Sequence, residues 1–221
     1  MKYAMFTLFA LGLTITVNAE EKPLLAIPGK IIFESKLDAV PDDPWKAAKG
    51  KWELIEGVWR GSEKPEDKHG AVTRLPNKLP DFIIEYEFKF EGGKGTSLSI
   101  NAPKGHMARI SISINSVTIL RDDYDKDGPA RAAIFGRFPA QFAKGTWHKV
   151  RMEMIGNTVL GQVDDLVAWG SDDFLKKERV APGLTVAGQS VDFRNFTIRE
   201  ATLNPDWEKV KATLPAPGEK K

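Results

Sequence analysis

Glu85 and Glu87 stand two residues apart in "DFIIEYEFKF" (81–90). In an extended chain that separation is about 6.5–7 Å, within the roughly 5–10 Å at which paired carboxyls cleave a glycosidic bond, one as acid and the other as base or nucleophile. A solvated sheet face with Lys89 as counter-charge fits the same residues. A second acidic run, "DDYDKDG" (122–128), sets Asp123, Asp125, Asp127 and Gly128 at the spacing of the first half of a calcium loop. Alternate carboxylates there converge on a hard cation while Gly lets the chain turn. Ile134 stands where the closing bidentate Glu of an EF-hand belongs, so that motif is excluded. A looser calcium site completed by carbonyls and water, or a solvated acidic turn, both fit. His148 lies in "GTWHKVRMEMIGNTVLGQVDD" (145–165) near Asp164 and Asp165, but shares strand parity with Val150 and Met152. That places it at the edge of the core, as frame rather than as acid or base.

The elements that must position these groups read almost entirely as strands. Period-two alternation sets Phe82, Ile84, Tyr86, Phe88 and Phe90 on one face and Glu85, Glu87 and Lys89 on the other. "TSLSIN" (96–101) turns Leu98 and Ile100 in and Ser97, Ser99 and Asn101 out; "ARISISI" (108–114) does so with Ile110, Ile112 and Ile114 against Arg109, Ser111 and Ser113. If these three strands are neighbours, their outward faces join Glu85, Glu87, Ser97, Ser99, Asn101, Arg109, Ser111 and Ser113 into one surface of carboxylate, hydroxyl, amide and guanidinium. Such a surface can hydrogen-bond a sugar from several sides; an ordinary polar face is the alternative.

Further strands are expected at 30–35, 51–56, 57–61, 70–75, 116–121, 147–154, 184–188 and 191–200. Gly-Asn at 156–157 predicts a hairpin turn, and Asp164 and Asp165 a second turn held by their side chains. Many short strands between Gly, Pro and Asp turns give an all-β fold, a jelly roll or β-sandwich of two antiparallel sheets. One helix is expected at the end, capped by Asn204 and entered at Pro205, with a solvated tail after Pro215. Among the tryptophans, Trp59 and Trp169 beside Gly turns are the candidates for stacking on a sugar ring.

Residues 1–19 carry Lys2, an apolar run from Phe6 to Val17 and Ala19 before "EEK". This predicts a cleaved signal peptide, since the run is short of the roughly 20 residues of a spanning helix, and a secreted or periplasmic protein. Residues 20–203 form one jelly-roll domain and 204–221 the helix and tail. Cleavage leaves 31 basic against 30 acidic residues with no basic block, which argues against nucleic acid. No transmembrane segment remains after cleavage. Cysteine is absent, so stability rests on the core without disulfides.

Several pieces in order resemble a known family. "WKAAKGKWELIEGVWRG" (45–61), "DFIIEYEFKF", "KGTWHKVRMEMIGNTVLGQVDD" (144–165) and "LTVAGQSVDFRNFTIREA" (184–201) are similar to the 3-keto-disaccharide hydrolase-like domain, a secreted bacterial jelly roll of the concanavalin and laminin-G type. The resemblance implies that Glu87 matches a family Glu. Asn101 stands where the family has Arg, and His106 and Arg109 where it has Glu and Gln. It further implies hydrolysis of 3-keto-glycosides, in which Glu87 removes the C2 proton made acidic by the ketone, with His106 as the alternative base. Arg109 or a metal then holds the enolate oxygen. Glu85, Ser99, Asn101 and Ser111 would bind the sugar. The strand "EYEFK" is also similar to jelly-roll glycosidases of the laminarinase type but lacks their central Asp. A glycan-binding or cell-envelope module without catalysis is the other function class these residues allow.

Overall fold

A computed structural model describes residues 23–39, 45–125 and 127–218; the expected signal peptide lies outside them. In chain order the strands are β1 (Ala26–Ser35), β2 (Lys46–Lys49), β3 (Lys51–Ile55), β4 (Val58–Ser62), β5 (Ala71–Arg74), β6 (Lys78–Leu79), β7 (Phe82–Phe90) and β8 (Gly93–Asn101). They continue as β9 (His106–Ser113), β10 (Ser116–Arg121), β11 (Ala133–Pro139), β12 (Trp147–Ile155), β13 (Thr158–Val163), β14 (Leu166–Ser171), β15 (Arg179–Gly188) and β16 (Val191–Leu203), followed by the helix α1 (Trp207–Lys211). The first sheet runs β14-β13-β12-β7-β16-β4-β3, with β1 on the remaining edge of β16. The second runs β11-β10-β9-β8-β15-β5-β2, with β6 on β15. Every paired strand is antiparallel. The architecture is the expected jelly-roll sandwich.

The core is what the alternation dictated. Phe82, Ile84, Tyr86, Phe88 and Phe90 of β7 are buried and face Leu98, Ile100, Ile110 and Ile112 of the second sheet within one cluster. Each such side chain taken from water contributes about 1.5–3 kcal/mol. At one end Trp45 packs edge-on to Trp59 and Phe196, with ring centroids 5.1 and 5.0 Å apart. Close approach of the sheets needs glycine at Gly161, where a Cβ would lie 2.6 Å from Cγ1 of Ile119. The hairpin at Gly156-Asn157 forms as expected, with Ile155 paired to Thr158 across the turn.

Several expectations are corrected. β7 is not beside β8: after Phe90 the chain crosses from the first sheet to the second through Glu91 and Gly92, whose φ of 120° suits glycine, and the ladder resumes at Gly93 against Gly188. A two-residue link between alternating runs reads as a hairpin, yet here the second run leaves the sheet. Trp59 is only 4% exposed, packed edge-on to Trp45 and tilted against Trp52, so it offers no sugar platform. The short terminal helix forms as expected, but its N-cap is Asp206 and Asn204 anchors the approach to it: the Asn204 Oδ1 accepts from the Asp206 amide at 3.0 Å, while its Nδ2 donates to the Leu24 carbonyl at 2.8 Å. The helix sets Trp207 edge-on to Trp169 at 5.5 Å and covers Leu160 and Leu25 on the outside of the first sheet. Strands β2, β6, β11 and β14 were not anticipated, and Ile114, expected inside, lies just past the end of β9 and is 49% exposed.

Candidate functional site

The outer faces of the two sheets differ. On the first sheet a hollow of about 750 Å³ is lined by Glu85, Glu87, Lys149, Arg151, Gln162 and Arg199 among others. Glu85 and Glu87 do share this face, but each is closed on a cation. Glu87 accepts from Nε and Nη2 of Arg194 at 2.8 and 2.5 Å and from Asn195 at 2.9 Å. Arg151 bridges Glu85 at 2.6 Å and Glu153 at 2.5 Å, and the other oxygen of Glu153 accepts from the Ala26 amide at 2.7 Å, tying β1 to the sheet. Arg194 lies over the Trp147 ring, 4.1 Å from its centroid. These are the bonds of a frame.

His148 is likewise held within the frame. Its Nδ1 meets Asp164 Oδ2 at 2.7 Å, and Asp164 Oδ1 accepts from the Lys149 amide at 2.9 Å. The ring sits against Phe88 and Phe142. Asp164, at φ 49°, thus closes the end of the β12–β13 hairpin through its side chain.

On the second sheet a groove of about 670 Å³ runs across the outward residues of β5, β15, β8 and β9. Register places Val72, Thr185, Ser97, Ser111 and Thr118 side by side, one from each of five successive strands. From Thr185 to Thr118 this is a hydroxyl row about 14 Å long, three strand spacings. Ser97 Oγ and Thr185 Oγ1 lie 2.6 Å apart, and each retains further acceptor capacity. Ser111 is half-buried and its hydroxyl has no protein hydrogen-bond partner among the described residues.

The next row holds Arg74, Gly183, Ser99 and Arg109. Arg74 donates from Nη1 to Ser99 Oγ at 3.1 Å and to the Ala181 carbonyl at 3.3 Å. Arg109 pairs through Nη2 with Asp122 Oδ1 at 2.9 Å. Burial raises the Asp122 carboxyl above the ordinary carboxylate range despite the opposing pull of Arg109, His106 and Arg121. His106, at the groove's rim, has Nδ1 2.9 Å from Asn101 Oδ1.

Five of the expected site residues, Arg109, His106, Ser99, Asn101 and Ser111, therefore lie on this one face. Glu85 and Glu87 do not: they belong to the opposite outer surface, with the core between. The joint action of Glu87 and Arg109 on one sugar is thereby overturned. Arg74, Thr185, Thr118 and Asp122 were missed. The parity of Arg74 and Thr185 was legible in "AVTR" and "LTVAG", but not their sheet, which depends on pairings more than a hundred residues apart in sequence, such as Val72 with Thr185. The acidic loop folds on itself. Asp125 Oδ2 accepts from the Ala130 amide at 3.0 Å and Asp123 Oδ1 from the Asp125 amide at 3.3 Å. Asp127 is exposed, and among the described residues no three His, Asp or Glu side chains gather as a metal-holding group.

No protein-family model and no curated protein matches the chain. Solved structures do resemble it. A protein of unknown function with galectin-like fold from Bacillus subtilis aligns at TM-score 0.63 and 11% identity over 81% of this chain and 100% of that one. A carbohydrate binding module from Bacillus subtilis aligns at TM-score 0.54 and 17% identity over 71% of this chain and 95% of that one. A laminarinase from Flavobacterium sp. UMI-01 aligns at TM-score 0.57 and 10% identity over 77% of this chain and 100% of that one. At these identities the likeness shows the shared jelly-roll sandwich.

Proposed function

We propose that the protein is an exported carbohydrate-binding jelly roll whose ligand lies in the groove of the second sheet. The observation that carries this reading is the hydroxyl row Thr185–Ser97–Ser111–Thr118 flanked by Arg74 and Arg109. It presents donors and acceptors at strand spacing along a shallow polar floor, the chemistry a sugar's ring of hydroxyls matches. The first sheet's outer face offers less of this capacity, because Glu85 and Glu87 are each closed on an arginine and α1 covers its apolar end. The carbohydrate-binding module and the laminarinase of the same fold support a glycan as ligand, and residues 1–19 support export. Among the described residues no helix is long and apolar enough to cross a membrane.

A glycan array probed with the full chain tests this. Binding to at least one glycan class, lost in Ser111→Trp while the melting curve is kept, is the expected result; equal binding by wild type and variant moves the site elsewhere.

A second reading, hydrolysis of a 3-keto-glycoside, draws on the placement of His106 and Arg109 on this same face. His106 would take the C2 proton while Arg109 holds the enolate oxygen. The C1–O bond then breaks, the leaving oxygen is protonated and water adds across C1–C2. Release of 3-ketoglucose from a 3-keto-disaccharide, abolished in His106→Ala, tests it. A calcium site at Asp123, Asp125 and Asp127 is a separate reading of the acidic loop; a melting temperature raised by calcium and lowered by chelator would support it, and one that ignores both would argue against it.

A further inference from the structure

The arginine row of the groove is unevenly compensated. Two guanidiniums stand on it, and Asp122 meets only Arg109. Arg74 is held by neutral partners, the Ser99 hydroxyl and the Ala181 carbonyl. Between them in register come Gly183 and Ser99, so nothing bulky separates the two long side chains. Gly183 is part of the arrangement: a Cβ there would lie 2.8 Å from Cγ and Nη1 of Arg74, which rests across the bare backbone. Burial, together with the nearby charge of Arg109, lowers the Arg74 guanidinium below its ordinary value. Arg109 also keeps a buried Nε without a hydrogen-bond partner. Lys49 and Lys94 also line the groove, with Glu63 the one acid among its described lining residues. A neutral polysaccharide would need hydroxyls and amides here, not two crowded cations on the floor.

We propose that Arg74 and Arg109 form an anion subsite and that the glycan held by this groove carries a carboxylate or a sulfate ester over Ser99. The inference rests on the groove being the glycan site. A guanidinium presents a planar fork of donors that matches either anion in bidentate fashion, and an anion between the two relieves their repulsion. The Ser97 and Ser111 hydroxyls then hold the neighbouring ring.

The test uses matched neutral, uronate and 6-O-sulfated oligosaccharides on glucan, galactan and mannan backbones, titrated into the full chain. The expected result is that a uronate or sulfated member binds about tenfold or more tightly than its neutral match. Arg74→Gln and Arg109→Gln should each bring the affinity for the acidic member down to that for its neutral match. The favoured arm, uronate or sulfate, identifies the source of the anion. If Arg109→Gln fails to fold because Asp122 loses its partner, Arg109→Gln combined with Asp122→Asn removes the pair together. Equal affinity for neutral and acidic members would overturn the anion subsite while the glycan groove stands. Absence of binding across the whole set would overturn both.

Discussion

Arg74 reaches across Gly183 to the Ser99 hydroxyl, 3.1 Å away, so a side chain of β5 bonds to a residue of β8 with β15 between them. The contact depends on a missing Cβ. In Gly183→Ala the new methyl would stand 2.8 Å from Arg74 and 2.5 Å from the Thr73 carbonyl. The variant is expected to lose about 1–3 kcal/mol in urea unfolding and to lose preference for acidic over neutral glycans. A stable variant with unchanged preference would show that Arg74 reaches its position without the glycine.

Glu87→Gln examines the opposite face. The carboxylate serves Arg194 and Asn195 on a partly exposed surface, so the change should cost about 0–1 kcal/mol. Glycan affinity should be unaltered, because the core separates Glu87 from the groove. A drop in affinity measured by titration would return the first sheet's hollow to consideration.

Glu153 gives the stability a definite pH dependence. Its side chain is fully buried, and burial raises its carboxyl above the ordinary 4.5, more than Arg151 and the backbone amides lower it. Arg151 keeps its charge because Glu85 gives it a second acceptor at 2.6 Å, so the cost of ionisation falls on Glu153. The folded chain then holds a proton that the unfolded chain has already released. That favours the native state fully below the ordinary value and is lost as pH rises through the raised one. Glu153→Gln should therefore gain on wild type as pH rises from about 4 to 7 in urea unfolding. A difference that moves the other way contradicts the assignment.

Phe196 stacks on Tyr86 at 5.8 Å and meets Trp45 edge-on at 5.0 Å. Phe196→Ala should cost about 3–5 kcal/mol, read as a lowered urea midpoint with an unchanged slope. A cost under about 1 kcal/mol would mean that the surrounding rings collapse into the space.

The strands and their faces were legible because alternation is local: Phe82 to Phe90 point inward as their spacing requires. Sheet membership was not. Whether "TSLSIN" pairs with the strand before it or leaves for the other sheet is decided by Gly92, Gly93 and a partner at Gly188, nearly a hundred residues on. Hence Ser99, Ser111 and Arg109 were correctly turned outward, yet Glu87 was joined to them on a surface it does not share. The short strand β11 was obscured by Gly136 and Pro139, and Asp122 was read with the acidic loop although its side chain turns back to Arg109.

The location of the glycan is tested most directly by titrating an oligosaccharide that binds on the array into ¹⁵N-labelled full chain and following the amide resonances. Shifts centred on Ser97, Ser99, Ser111 and Thr185, with Glu85, Lys149 and Arg199 unmoved, are the expected outcome. Shifts gathered on Glu85, Lys149 and Arg199 instead would place the ligand on the first sheet and refute the groove.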